Sequence, residues 1–161
     1  MLNIRPATPN DITEILKLIR ELAEYEKLAP LVVITAEDLM RDAFSGRPLI
    51  HILIADWDGG TAGYALYFFN YSTFRGRPGI FLEDVFVRPQ FRKKGIGKAL
   101  LIHLARIAVD KKCARFEWQV LDWNTPSIEF YESLGAVVMK EWLTMRVAGE
   151  ALTRLAEQVR E

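Results

Sequence analysis

The chain has 161 residues, half of them hydrophobic and 26% charged, which suffices for one good core and excludes a disordered chain. Its 21 basic and 21 acidic residues cancel, so no nucleic-acid binder is expected and local basic clusters need local explanations. Cys113 is the only cysteine, which excludes an intrachain disulfide and a thiolate zinc site, and no apolar run approaches the roughly 20 residues of a membrane span.

The expectation is a soluble cytoplasmic protein with no metal and no membrane contact. No repeat or proline-rich linker interrupts the sequence, so residues 1–161 read as one domain. "LNIRPA" reads as a first strand. Thr8 then offers a cap, Pro9 a first helical residue, and Ile12, Ile15, Leu16, Ile19, Leu22 and Ala23 recur at helical spacing to about Glu26. A second, short helix is expected from Thr35 to Phe44, with Thr35 as cap and Glu37 and Asp38 in the first turn.

Three strand-like runs follow: "LIHILIADW", "TAGYALYFFNY" and "GIFLEDVFV". The "DGG" between the first two predicts an antiparallel hairpin. Gly95–Lys112 reads as a helix and "RFEWQVLDW" as a strand. "NTPSIEFYESLGA" reads as a helix capped by Asn124 or Thr125 and stopped by Gly135. "VVMKEWLTMRV" predicts a last strand, and Leu152, Leu155, Ala156 and Val159 suggest a terminal helix. The order β-α-α-β-β-β-α-β-α-β predicts an α/β fold with a mixed, mostly antiparallel sheet and helices on both faces.

The densest chemical information lies at Glu83–Lys98, "EDVFVRPQFRKKGIGK", where an apolar strand stops at Pro89 and a basic, glycine-bearing turn opens a helix. Helix-opening N–H groups have no partner inside the helix, so such a turn suits an anion. A P-loop needs four residues between its glycines and then Lys and Ser/Thr, whereas one residue separates Gly95 from Gly97 and Ala99 follows Lys98. A dinucleotide fingerprint needs a third glycine where Leu100 stands. A plain solvated turn capping a helix is the remaining alternative to an anion site.

"RKKGIG" resembles the acetyl-CoA pyrophosphate loop of the GNAT N-acetyltransferase superfamily. "IRPATPNDITEILKLIRELAEYEKL", "YSTFRGRPGIFLEDVFVRPQFRKKGIG" and "VLDWNTPSIEFYESLGA" look like its diamine acetyltransferase branch. "AEYEKL", "YSTF" and "VLDWN" are closer to the thialysine N-acetyltransferase type than to the spermidine/spermine type. The similarity runs from about Leu2 to Ala136.

The resemblance implies a GNAT fold and transfer of acetyl from acetyl-CoA directly to a small primary amine, in a ternary complex without an acyl-enzyme. It implies a cofactor cradle of Arg92, Lys93, Lys94, Gly95, Ile96, Gly97 and Lys98, with Val85, Phe86 and Val87 along the pantetheine arm. Asn124 is expected at the cofactor or at the helix start. Tyr131 is the implied acid toward the CoA sulfur, a packed helical tyrosine being the alternative.

Glu83 is the candidate base, acting through water, and Asp84 the candidate contact to the amine. On a regular strand the two face opposite sides; the resemblance implies a bulge here. Tyr25 and Glu26 are expected to line the acceptor pocket. "LAPLV", Ser72 and Phe74 replace residues of the polyamine type, so a lysine-like amino acid such as thialysine, or a short diamine, suits the site better than spermidine. Arg75 or Arg77 is a candidate partner for the acceptor's carboxylate.

His51, His103 and Cys113 lack partners at catalytic spacing and read as structural. A homodimer is expected from the resemblance alone. Two alternatives stay open: a protein lysine or N-terminal acceptor, and an acyl-CoA-binding module without turnover.

Overall fold

The computed structural model describes residues 1–158. These form two compact units, Met1–Leu121 and a second beginning at Asp122.

In the first unit the elements run β1 (Leu2–Pro6), α1 (Ile12–Tyr25), α2 (Ala36–Ala43), β2 (His51–Trp57), β3 (Gly60–Ser72), β4 (Arg77–Val87), α3 (Ile96–Asp110) and β5 (Phe116–Trp118). The sheet order is β1-β2-β3-β4-β5. The first four strands are antiparallel neighbours and β5 is parallel to β4. This is the mixed, mostly antiparallel sheet that the element order predicts.

Local chemistry sets the boundaries. Asp11 accepts from the Thr8 N–H at 2.7 Å, and its carboxylate is also gripped by both terminal nitrogens of Arg5 at 2.9 Å, which tie β1 to the start of α1. That guanidinium holds the Asp11 carboxyl well below the usual carboxylate range. Thr35 and Asp38 cap α2 reciprocally, at 3.0 and 3.2 Å. Asp58 and Gly59 take positive φ of 48° and 84°, the pairing a two-residue hairpin between β2 and β3 requires.

Strand alternation then divides the core. Ile52 and Ile54 of β2, Tyr64 and Leu66 of β3 and Phe86 of β4 pack with Ile12, Ile15, Leu18 and Leu22 of α1 and Leu39 of α2. Leu53, Ala55, Ala65 and Leu82 are buried outside that cluster. α3 packs against β3 and β4, and Val87 lies beside Gly97 at the helix start. Helices therefore cover both faces, as expected.

Arg88, just beyond β4, binds α1 to the sheet. It forms an ion pair with Glu14 at 2.6 Å, donates to both Glu21 oxygens at 2.8 and 2.9 Å, and donates to the Thr61 carbonyl at 2.9 Å. Its guanidinium is largely buried, and every bond is charge-assisted.

The expected strand at 115–123 shortens to Phe116–Trp118, because its pairing with β4 covers only Ile80–Leu82. The second unit contains α4 (Thr125–Ser133) and α5 (Glu150–Ala156). Asn124 caps α4 by accepting from the Ser127 N–H at 3.4 Å. Gly135, at φ 92°, stops it while the Ala136 N–H returns to the Tyr131 carbonyl at 3.1 Å.

The last strand expected at "VVMKEWLTMRV" does not form. The run is irregular, with local bonds from the Lys140 N–H to the Val138 carbonyl and from the Trp142 N–H to the Met139 carbonyl. Val137, Trp142, Leu143 and Met145 are exposed. β-propensity reflects packing on a neighbouring strand, and without that neighbour it does not hold the backbone extended. The terminal helix forms over Glu150–Ala156; Val159 lies outside the described residues.

Candidate active site

β4 carries the bulge. Leu66 pairs with Asp84 but Tyr67 pairs with Leu82, so Glu83 is an extra residue opposite β3. The bulge leaves Glu83 exposed while Asp84 shares a face with Phe86, two residues on. Asp84 accepts a 2.9 Å hydrogen bond from the hydroxyl of Tyr64, which is fully buried.

Burial, with the charges of Glu83 and Glu26, pushes the Asp84 carboxyl up to about 6 against the lowering effect of the Tyr64 hydroxyl. Glu26, at the end of α1, is raised by burial. Glu26, Glu83 and Asp84 thus form one acidic cluster. A cation beside them relieves their mutual repulsion, so the cluster suits an ammonium group.

The basic turn has the geometry of an anion cradle. Lys93 and Gly95 take positive φ of 62° and 77°, and Gly95 precedes α3 without any side-chain cap. Among the described residues, no N–H from Lys93 to Lys98 donates to a protein acceptor; the first N–H used is that of Ala99, to the Gly95 carbonyl at 2.9 Å. No acidic residue occupies the first turn of α3. A Cβ on Gly97 would meet only Val87, at 3.9 Å, so that glycine is not required by packing within the protein.

These donors fit a phosphate group, and Lys93 and Lys98 add exposed positive charge. Lys94 is turned aside, its Nζ 4.8 Å from the Trp57 ring centre and 5.9 Å from that of Phe91. Arg92 is turned aside too. Its N–H donates to Pro89 and its Nε to the Val87 carbonyl at 3.0 Å, and the guanidinium lies over the rings of Tyr25 and Phe86.

Between the bulge and the cradle, β4 has a free edge. β5 pairs with Ile80–Leu82, so among the described residues Val85, Phe86 and Val87 have a strand neighbour on the β3 side alone. An extended polar chain can add there as an extra strand.

The remaining expected residues lie at other places along the chain. Tyr131 and Asn124 lie in the second unit, on α4 and at its cap. Arg77 is seven residues from Asp84 along β4, about 23 Å at the usual rise, and Arg75 is farther still. Within one chain neither reaches a small molecule held at Asp84, which corrects their candidacy for the acceptor's carboxylate.

His51 stacks on Tyr67 with ring centres 5.2 Å apart, and burial lowers its pKa. Burial raises the Cys113 thiol, which makes it a poor nucleophile. Two residues, one at the bulge and one holding α1 to the sheet, escape sequence reasoning. Tyr64 reads as ordinary alternation in "TAGYALYFF", and only the register across the bulge brings it to Asp84. Arg88 was legible in principle, since Glu14 and Glu21 recur seven apart on α1.

Comparison with known proteins decides the family. The model for the acetyltransferase (GNAT) family matches residues 12–136. The chain belongs to the GNAT acetyltransferase family. This GNAT chain is 42% identical to the thialysine N-epsilon-acetyltransferase of Sus scrofa, over 95% of this chain and 96% of that one. It is 34% identical to an L-ornithine N5-acetyltransferase of Arabidopsis thaliana, over 92% and 85% of the two chains.

Among solved structures, an integron cassette protein from the mobile metagenome of V. cholerae superposes with a TM-score of 0.82 at 25% identity, covering 98% of each chain. The GNAT chain is an N-acetyltransferase, and its sheet with helices on both faces is the fold of that family.

Proposed function

We propose that this GNAT chain transfers the acetyl group of acetyl-CoA directly to a small primary amine, a lysine-like amino acid such as thialysine or a short diamine. The observation that carries the reading is the row of undonated N–H groups from Lys93 to Lys98 in the same unit as the acidic cluster at the β4 bulge. The names of the relatives, which specify thialysine and L-ornithine, support the amine. Residues 1–161 act as one domain in this reading, and the family match, which runs from the first compact unit into the beginning of the second, supports that.

When bound, acetyl-CoA supplies an activated acyl thioester. The backbone of Lys93–Lys98 would hold its pyrophosphate, and the edge of β4 at Val85–Val87 would hold the pantetheine arm. Asp84 and Glu26 attract the acceptor's ammonium. An alkylammonium with a pKa of roughly 10 must lose its proton before its nitrogen can attack, and Glu83 accepts that proton through water. With the thioester bound, Tyr131 would supply a proton to the CoA thiolate, and Asn124 would serve the cofactor as well as cap α4.

The test is thiol release from acetyl-CoA with a panel of thialysine, lysine, ornithine, short diamines, spermidine and a lysine peptide, across pH. Turnover is expected with thialysine or the other small amines. Release with the peptide alone would move the acceptor to proteins, and no release with any member would sink the catalytic reading. Tyr131→Phe should lower kcat much more than acetyl-CoA affinity; unchanged kcat would remove the acid role.

A further inference from the structure

Two arginines near the end of β4 serve different ends. Arg88 grips Glu14, Glu21 and the Thr61 carbonyl. Arg92 folds back onto the strand, where its Nε donates to the Val87 carbonyl at 3.0 Å. Its Cζ lies 5.0 Å from the Tyr25 ring centre and 5.7 Å from that of Phe86.

The peptide between Val87 and Arg88 fixes the direction of that carbonyl. The Arg88 N–H donates to the Ala62 carbonyl of β3 at 2.9 Å. In a trans peptide the carbonyl points opposite to the N–H of the next residue, and among the described residues no peptide bond is cis. The Val87 carbonyl therefore points away from β3, to the edge where an extended chain would add. Arg92 holds the acceptor that such a chain needs. Among the described residues no carboxylate pairs with Arg92; Glu21, which lines the same depression, is gripped by Arg88 through both oxygens. One hydrogen bond and two ring faces hold an otherwise exposed side chain.

We propose that Arg92 is a latch on the edge of β4: its side chain and an extended arm compete for the Val87 carbonyl, and a phosphate in the Lys93–Lys98 turn decides the contest by drawing the guanidinium off. The edge then admits an arm that carries a phosphate and resists one that does not. This rests on the cofactor reading above. Arg92 stands immediately before the anion turn, so an anion bound there attracts its charge at short range. A phosphate also offers paired oxygens that match the guanidinium fork better than one carbonyl does. A neutral arm offers nothing in exchange. It must displace the hydrogen bond and the ring contacts unaided, a penalty of roughly tenfold in affinity.

The test titrates the protein by calorimetry with CoA, with pantetheine as the phosphate-free arm, and with pantetheine in saturating inorganic pyrophosphate. In the wild-type protein pyrophosphate is expected to tighten pantetheine binding about tenfold. Arg92→Ala should bind pantetheine alone about tenfold more tightly than the wild type and CoA more weakly, and pyrophosphate should no longer help. Tyr25→Leu, which loosens the grip on the guanidinium and leaves the anion turn intact, should tighten both CoA and pantetheine. Pantetheine binding that is equal in the wild type and Arg92→Ala, or undetected in both while CoA binds, would overturn the latch. Pyrophosphate coupling that survives Arg92→Ala would overturn it too, as would joint loss of CoA and pantetheine binding in either variant, the mark of a structural role. If the wild-type protein does not bind CoA, the cofactor reading itself fails and this inference with it.

Discussion

The buried hydroxyl of Tyr64 donates to Asp84 Oδ2 at 2.9 Å across a register shift in the sheet. The partnership holds a carboxylate within the protein and next to two others, Glu83 and Glu26. Fold and function pull against each other at this point: repulsion among the acidic groups costs stability in the free protein and favours an arriving ammonium.

Replacing Asp84 by Asn should therefore stabilise the free protein at neutral pH. The folded-state pKa of about 6 lies above the usual value for an aspartate, so the proton-linked stability is present at low pH and is lost as pH rises through 6. Discounted for residual exposure, Asp84→Asn should gain about 1–2 kcal/mol at pH 7.5. The gain should shrink as pH falls through 6 and approach zero only below about pH 4, the ordinary aspartate value. Urea denaturation at the two pH values measures this, and the same variant should bind the amine acceptor more weakly. Equal stability at both pH values would show that Asp84 is not held as described.

Tyr64→Phe removes the one group that favours the ionised form of Asp84. The acid limb of kcat/KM for the amine, expected near pH 6 in the wild-type protein, should move to higher pH by about one unit, since a hydrogen bond to a charged group is worth roughly 1.5–3 kcal/mol before relaxation. The acid limb is read from a pH–rate profile. The same limb in both proteins would remove Tyr64 from the site.

The two loop glycines should separate folding from binding. Gly95 sits at φ 77°, where an added Cβ is strained, so Gly95→Ala should lower thermal stability by about 1 kcal/mol or more. Gly97 has ordinary helical neighbours and a Cβ there meets only Val87. Gly97→Ala should leave the melting temperature unchanged or slightly higher while weakening acetyl-CoA binding in calorimetry, and Gly97→Asp should weaken it further by charge. Full affinity in both Gly97 variants would count against the cradle.

Arg88→Met should destabilise the fold by about 2–4 kcal/mol, because two carboxylates of α1 and the Thr61 carbonyl lose a largely buried cation. Chemical denaturation reads the loss. A change below about 0.5 kcal/mol would mean that the network behaves as a surface ion pair.

Much of this was legible before the fold. The periodicity of α1, the Thr35 cap, the Asp58–Gly59 hairpin and the basic glycine turn follow from interactions between residues a few positions apart, and the motifs around them carried the family. The last strand misled, because its apolar residues matched a strand pattern that only a neighbouring strand can stabilise. The sequence alone determined the local elements up to α4, the location of the basic glycine turn and the pair of carboxylates at Glu83 and Asp84.

Tertiary structure decided which carboxylate is held inside, since a single extra residue in β4 sets which face each one takes and brings Tyr64 to Asp84. It also removed Arg75 and Arg77 by distance and turned Arg92 onto two rings. Spacing along the chain describes contacts within a turn; register between strands and the direction of a long side chain depend on partners tens of residues away.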